Sequence, residues 1–475
     1  MTPLEPSAVL AGRTSNRHSG WLIGGLIAAG VCLLLVVVFY MLTGGPLGTI
    51  FGFILALPTA AVMVGLVLLA DRLEPEPLPK LAFVFLWGAG VALLVALVIN
   101  TLGDLLVFQP MFGAETGRFF AAAFGAPPVE ETCKGAVLFL LLWRRRDEID
   151  GPTDGIVYAA MVGLGFALVE NVNYYMQAMA SGAATGSGLL PLAITVGLRG
   201  IASPLCHPLF TSMTGLGVAY AANHRSATGY LAVAGGWIGA MILHFIWNFA
   251  SGFGWLGLGV AYFIMLLVLI GLIVVLVMDR KRLVGLIHRY LPPYGQYGIV
   301  TPEDVTMLST LKARRAGRKW AAGRSGTTGG RAMRDYQLAA TELAMLHSHA
   351  DSRTVEPQRF AVRRDSLVAL MRATRNVFLP GGGPGGPAAP PGPGGPGGLA
   401  APPGQGPPPG QGPPQGPPPG HGGPPQTPPG QPYPPQGPGY GPPGRSQPGQ
   451  PPYGQPPQQP PQQPPYGSGQ QPGGW

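Results

Sequence analysis

The sequence predicts an all-α, polytopic membrane protein with about eight transmembrane helices and a disordered C-terminal tail. Up to about residue 278 the chain consists of apolar segments joined by short connections. Each segment is near the ~20 residues that cross ~30 Å of hydrocarbon, and helices satisfy their backbone hydrogen bonds inside lipid. Residues 380–475 are almost entirely Pro, Gly and Gln, so they bury too little apolar surface to fold.

A polar N-terminal segment, residues 1–20, precedes a transmembrane domain over residues 21–278. The first apolar segment is longer than a signal-peptide core and lacks a small-residue cleavage site, so we expect it to be retained. The predicted spans are 21–42, 47–69, 81–103, 119–143, 154–177, 200–222, 229–250 and 256–278. A Gly-rich stretch before the sixth span leaves its start open, and a re-entrant piece there is an alternative.

The distribution of Lys and Arg predicts the orientation in the cell membrane. With the N-terminus placed in the cytoplasm, the inner segments hold eleven Lys and Arg residues, whereas the outer connections hold only Arg118 and Arg199. Positive residues concentrate on the cytoplasmic side of membranes, so both termini are predicted to be cytoplasmic. The acidic connection Asp71–Pro77 is interrupted by prolines and is predicted to be a solvated turn.

The region after the last span is basic. Residues 279–379 are predicted to be cytoplasmic and partly helical, with an irregular linker over 279–334 and helices at Asp335–Ala350 and Arg359–Phe378. This charge next to a membrane suits anionic lipid, and without a recognition motif it does not indicate nucleic acid. The Pro-rich tail could bind partners of its own. The three cysteines lie in apolar segments, which predicts neither a disulfide framework nor a zinc knuckle.

Three ionisable residues interrupt the fourth span: Glu130, Glu131 and Lys134. A charge at the bilayer centre costs ~2.5–3.5 kcal/mol, so such residues need polar partners and indicate function. Glu130 and Lys134 are four residues apart and share a helix face, whereas Glu131 points ~100° away around the helix.

The later spans supply the partners: Glu170, Asn171, His207, His244 and Asn248. At ~1.5 Å per residue, Glu130, Glu170 and the two histidines lie ~21–24 Å from the cytoplasmic ends of their spans. We therefore expect them in one layer, around a water-accessible pocket, with Gly163 and Gly165 allowing close helix approach. A carboxylate can deprotonate water with or without a metal, and His or Asn can stabilise the oxyanion, which indicates peptide hydrolysis.

Three short motifs carry a family resemblance: Glu130–Lys134 (EExxK), Phe166–Asn171 (FxxxEN) and His244–Asn248 (HxxxN). Together they resemble the PrsW family of intramembrane proteases and, more distantly, the superfamily of CAAX prenyl proteases and bacteriocin-immunity proteins. The resemblance implies cleavage of membrane-anchored proteins, with an anti-sigma factor as the best-known substrate. It also implies Glu130 or Glu131 as the base and His244 with Asn248 as oxyanion donors.

One departure from the pattern concerns the second motif, where CAAX-type relatives carry FxxxH and this chain has Glu170. His207 could supply the missing imidazole. Because the family is often called metalloprotease, Glu170, His207 and His244 could hold Zn²⁺ as a two-His, one-carboxylate set. The sequence leaves metal-dependent and metal-free (glutamic) chemistry open.

Two functions from other classes remain as alternatives. An ion- or proton-coupled transporter could use the buried acids, although no inverted repeat of hydropathy accompanies them. A catalytically inactive membrane scaffold could recruit partners through the tail. Cleavage of a membrane-anchored substrate separates the protease from both.

Overall fold

The computed structural model describes residues 20–73, 75–146, 149–352 and 354–379, and this part of the chain is helical without a strand. The all-α prediction is therefore confirmed. The N-terminal segment and the Pro-rich tail of the sequence analysis lie outside the described residues.

Eight long helices form the N-terminal part: α1 Gly20–Gly44, α2 Pro46–Ala70, α3 Leu78–Phe112, α4 Ala126–Arg144, α5 Pro152–Thr185, α6 Cys206–Asn223, α7 Ala227–Ser251 and α8 Gly254–Tyr290. A short helix, Ala114–Phe120, and a π-helical segment, Ala121–Gly125, lead into α4. Another short helix, Leu190–Thr195, and a second π-helical segment, Val196–Ala202, precede α6. Each predicted span coincides wholly or largely with one of these helices.

Six of the about eight predicted spans are apolar enough to be recognised by composition alone. Within the described residues, six helices are long and apolar enough to cross a membrane, namely α1, α2, α3, α5, α7 and α8. Helix α4 is not among them and carries Glu130, Glu131 and Lys134, while α6 has only 18 residues and buries most of them. The protein is thus a multi-pass membrane protein, and its two most polar long helices contribute buried polar side chains to its interior.

Helix α5 lies at the centre of the bundle and packs against α2, α3 and α6. Glycine makes these contacts close: a Cβ on Gly165 would lie 1.9 Å from the Phe85 carbonyl oxygen, and one on Gly163 would lie 2.8 Å from His207 backbone atoms. Small residues permit such approach between membrane helices. The expected role of these two glycines is confirmed, and it places α5 directly beside the first turn of α6.

The region after α8 differs from its prediction. Residues 279–334 were expected to be mostly irregular, but α8 continues to Tyr290, and the turn Pro292–Tyr297 leads to α9 Pro302–Leu308 and α10 Leu311–Asp351. Helix α10 is broken at Ser325 and Gly326, where Gly326 has φ +62°, so its two halves fold against each other. Helix α11 is Pro357–Phe378. The two helices expected further along the chain are confirmed within α10 and α11.

A separate apolar core explains why this basic region folds. It buries side chains such as Ile287, Leu308, Met333, Leu343 and Leu370. Short helices are marginal in isolation and are stabilised by tertiary packing, which sequence composition alone does not show. We call this unit, residues 286–379, the C-terminal helical domain.

The connection between α2 and α3 is not the solvated turn that its charge predicts. Asp71 is buried, and its Oδ2 accepts a hydrogen bond of 2.8 Å from the Glu76 backbone N–H. The Tyr158 hydroxyl on α5 donates to Glu76 Oε2. Burial, with a smaller contribution from the negative charge of Asp154, raises the pKa of Asp71 to about 7, although the hydrogen bond from the Glu76 N–H opposes this shift. This connection is therefore a packed part of the fold.

The same end of the bundle contains a cavity of about 210 Å³, lined by the end of α2, the start of α5, α8 and α10. These chain segments therefore meet on one side of the molecule. That agrees with the alternating topology expected from the sequence.

Candidate active site

Helix α4 supplies three charged side chains that lie in the interior of the bundle. Pro127 and Pro128 begin the helix, and Glu131 and Lys134 follow with no exposed surface. The Lys134 Nζ lies 2.9 Å from Glu131 Oε1 and 3.3 Å from Glu130 Oε2. It also lies 3.9 Å from the centre of the Phe166 ring on α5. One ammonium group thus joins two carboxylates in a place where either alone would be costly.

The carboxylate of Glu131 is fully engaged by neighbours. His244 Nδ1 on α7 lies 3.1 Å from Oε1, and the Thr211 hydroxyl on α6 donates to Oε2 at 2.9 Å. Together with Lys134, these contacts come from three helices. Glu131 is therefore held rigidly and connects α4 to α6 and α7.

The carboxylate of Glu130 is held more loosely. Asn100 Nδ2 on α3 donates to Oε1 at 3.3 Å, and His244 Nε2 lies 3.9 Å from Oε2. The side chain retains 8% of its exposure, whereas that of Glu131 has none. A separation of 3.9 Å is too long for a hydrogen bond but leaves room for a bridging water. Glu130 is thus the carboxylate that has room for one more hydrogen-bond partner.

His207 links the charges of α4 to those of α5. Its Nδ1 lies 2.9 Å from Lys134 Nζ, and its Nε2 lies 2.9 Å from Glu170 Oε2. An ammonium group can only donate, so Nδ1 accepts and the ring proton lies on Nε2, which donates to Glu170. The expected convergence of these acids and imidazoles in one layer is confirmed.

Arg199 also belongs to this network, although its place in the sequence indicated only the membrane topology. It lies in the π-helical segment before α6; its Nη2 donates to Glu170 Oε2 and its Nε to Asn171 Oδ1 at 2.9 Å. Its guanidinium lies 3.6 Å from the Tyr174 ring centre. The available signal was a lone arginine in an apolar stretch, eight residues before His207. Thr211, four residues after His207, and Asn100 were missed as well.

Asn248 is placed apart from the charged network. It follows His244 by one turn of α7, but its Nδ2 donates to the Ala122 carbonyl at 2.8 Å. Asn248 does line a cavity of about 340 Å³, together with His207, Arg199, Asn171 and Tyr174. The rest of the cavity wall consists mainly of apolar and small residues from α2, α5, α7 and α8. The network therefore adjoins a cavity whose wall is partly polar and partly apolar.

One group of side chains within the described residues has the composition of a metal site. Glu130, His207 and His244 each offer a ligand atom within 4.8 Å of the others, so Glu130 replaces the Glu170 of the predicted set. Three protein ligands suit catalytic zinc. However, the Lys134 ammonium contacts two members of the group, at Glu130 Oε2 and His207 Nδ1. Two cations repel each other in one small pocket, so this arrangement does not fit a resident metal.

The part of the chain that forms this site is similar to known membrane proteases. Residues 76–277 match the family described as "PrsW family intramembrane metalloprotease". The chain is similar to the PrsW family. The matched part contains α4 to α7, and with them Glu130, Glu170, His207 and His244.

Two individual relatives carry the name Protease PrsW. The protein of Geobacillus kaustophilus (strain HTA426) is 33% identical over 151 residues, which cover 29% of this chain and 60% of the relative. The protein of Clostridioides difficile (strain 630) is 30% identical over 146 residues, which cover 30% and 55%. The chain thus spans little more than half the length of these PrsW proteins. No solved structure gives a significant match.

Proposed function

We propose that the protein is an intramembrane peptidase that hydrolyses membrane-anchored proteins by carboxylate-activated water. The observation that carries this proposal is the loosely held carboxylate of Glu130 inside a network of buried charges. PrsW similarity over residues 76–277 supports the same reaction class. The family points to an anti-sigma factor as one kind of substrate, and the Lys and Arg pattern supports cytoplasmic termini.

Glu130 and His244 bind the attacking water. The 3.9 Å between Glu130 Oε2 and His244 Nε2 suits one water that donates to both atoms. Glu131 accepts from Nδ1 of His244, which leaves the Nε2 lone pair for this purpose. Glu130 takes a proton as the water oxygen bonds to the scissile carbonyl carbon, and returns it to the amine as the carbon–nitrogen bond breaks.

The remaining groups position these two residues and the substrate. Lys134 favours the ionised form of Glu130, as a base requires. Arg199 and Glu170 orient His207, and His207 in turn accepts from Lys134. Asn248 uses one amide hydrogen on Ala122, and its second can be donated to the oxyanion from the cavity wall.

Cleavage of a single-span substrate by the purified protein in liposomes tests this assignment. Glu130→Gln should lower the rate by roughly 10²- to 10⁴-fold, the usual contribution of a general base. Glu131→Gln should also lower it, and should lower the thermal stability as well because three hydrogen-bond partners depend on its charge.

Glu115→Gln is the matched control, since Glu115 is an exposed acid on the short helix before α4. It should leave cleavage unchanged. Full cleavage by Glu130→Gln in a folded protein would overturn the role of Glu130. Proton flux through the same liposomes without any cleavage by the unmodified protein would replace the peptidase by a transporter.

A further inference from the structure

The C-terminal helical domain contains a long stretch in which every charged residue is basic. Eight Lys and Arg residues and no Asp or Glu occur between Asp304 and Asp335. Helix α10 contains all eight, and several are exposed. A solvated helix face is the ordinary explanation for such a run, so only a specific arrangement in three dimensions would indicate a site.

Two sets of hydrogen bonds create such an arrangement. Buried Arg314 donates from Nη1 to the Leu73 carbonyl at 2.8 Å, which brings the start of α10 to the residue after Arg72. Arg315 is the next residue along α10, and Arg318 lies one turn further. These contacts fix the first half of α10 at the end of α2.

The second half of α10 folds back onto the first. Arg318 Nη1 donates to Gln337 Oε1 at 2.9 Å, and Gln337 Nε2 donates to the Arg314 carbonyl at 2.9 Å. Arg334 lies one turn before Gln337 on the same half. Arg72, Arg315, Arg318 and Arg334 are thereby gathered from three chain segments. We call them the arginine cluster.

The arginine cluster lacks a neutralising partner among the described residues. None of its members forms an ion pair there; Asp335 is the acid next in sequence to Arg334. Burial lowers the pKa of Arg318, and the charges of Arg334, Arg315 and Arg72 lower it further. Burial also raises the pKa of Asp335, although Arg334 opposes that shift. Such a concentration of positive charge is stabilised by an anion.

The position of the arginine cluster indicates which kind of anion it binds. Arg72 comes two residues after Ala70, the last residue of the membrane-crossing helix α2. Phospholipid phosphates lie at the level where such helices leave the hydrocarbon. Guanidinium groups bind phosphate oxygens in pairs of hydrogen bonds, and basic residues at this level recognise anionic lipid.

We propose that Arg72, Arg315, Arg318 and Arg334 form a binding site for the phosphate headgroup of an anionic phospholipid. The bound lipid would join the C-terminal helical domain to the membrane beside α2. This inference is independent of the proposed peptidase activity.

Native mass spectrometry of the delipidated full-length protein tests the site, with phosphatidylglycerol and phosphatidylcholine as probes. The variant Arg315→Gln with Arg334→Gln removes two exposed charges that make no ion pair. It should weaken phosphatidylglycerol binding roughly 10- to 30-fold. The matched control, Arg324→Gln with Arg372→Gln, removes two exposed charges elsewhere in the domain and should bind like the unmodified protein. Circular dichroism verifies that both variants are folded.

Three results would overturn the proposal. The first is equal phosphatidylglycerol binding by the cluster variant and the control. The second is equal binding of phosphatidylcholine and phosphatidylglycerol by the unmodified protein. The third is full displacement of phosphatidylglycerol by millimolar inorganic phosphate, which would make the site one for free phosphate. Selective binding of phosphatidylglycerol that only the cluster variant loses supports a lipid site.

Discussion

At the scale of single residues, Lys134 is the positive charge at the centre of the buried network. Its Nζ has two carboxylates, an imidazole nitrogen and an aromatic ring as neighbours. A buried charge without partners is strongly destabilising, whereas a fully partnered one can be retained for function. In the proposed reaction, Lys134 provides within the chain the positive charge that a metal ion provides in a metalloprotease.

This role of Lys134 predicts that cleavage does not depend on zinc. The purified protein should hold much less than one zinc per chain, and a chelator should leave the cleavage rate unchanged. Lys134→Met should abolish cleavage and lower thermal stability, because Glu130 and Glu131 would then face each other without a cation. Loss of activity on chelation, with recovery on adding zinc, would contradict this prediction.

At the scale of elements, the separation of the helices is set by glycine. Gly165 of α5 lies against the backbone of α3, where a Cβ would be 1.9 Å from the Phe85 carbonyl oxygen. Backbone atoms cannot move aside as a flexible side chain can, so the two helices would have to separate.

Gly165→Ala should therefore destabilise the protein by about 1–3 kcal/mol or more, as overpacking does in other cores. Gly65→Ala is the matched control, because nothing lies within 4 Å of its added Cβ and Ala favours a helix. Thermal unfolding in detergent measures both. Equal unfolding temperatures for the two variants would show that α3 and α5 are less closely packed than described.

The connection between α2 and α3 predicts a dependence of stability on pH. The pKa of Asp71 is about 7 in the folded protein, above the ~3.9 of an unfolded chain. The folded state therefore binds more protons than the unfolded state between these values. Stability from this group is fully present below pH ~4 and is lost as the pH rises toward 7.

Asp71→Asn removes this loss and keeps an oxygen for the Glu76 N–H. Relative to the unmodified protein, the variant should gain more in melting temperature at pH 7.5 than at pH 4.5. Exposed Asp351, changed to Asn, provides the control. A constant difference at both pH values would show that Asp71 is already ionised throughout this range.

At the scale of the whole molecule, the C-terminal helical domain is attached to the membrane bundle at several points. Helix α8 continues into it, and Arg314 reaches the Leu73 carbonyl. The connection between α2 and α3, which contains Leu73, also contacts α5 through a hydrogen bond from Tyr158 to Glu76. Helix α5 carries Glu170. The domain is thus in direct contact with the scaffold of the candidate active site.

Two truncated proteins distinguish the contribution of this domain from that of the Pro-rich tail. A protein that ends at residue 379 should cleave its substrate within about twofold of the full-length rate, because the described contacts of Glu130 and its partners all lie before that point. A protein that ends at residue 285 lacks Arg314 and should unfold at a lower temperature. Loss of cleavage in the 379-residue protein would show that the tail takes part in the reaction.

The sequence by itself determined the helical membrane fold and most of the polar residues of the site. Apolar segments near 20 residues have few alternatives to a helix in lipid. Ionisable residues within such segments, here Glu130, Glu170, His207 and His244, require polar partners. Helices α4 and α6 coincide with predicted spans but are more polar than the other six long helices.

Only the tertiary structure decided which partners surround each of those residues. Exposure and partner distances distinguish Glu130 from Glu131, and the position of Lys134 argues against a metal at Glu130, His207 and His244. The arginine cluster and the folding of residues 302–351 also depend on contacts between distant segments. Spacing along one helix fixes which residues share a face, but which faces meet depends on packing between helices, and no local pattern encodes that.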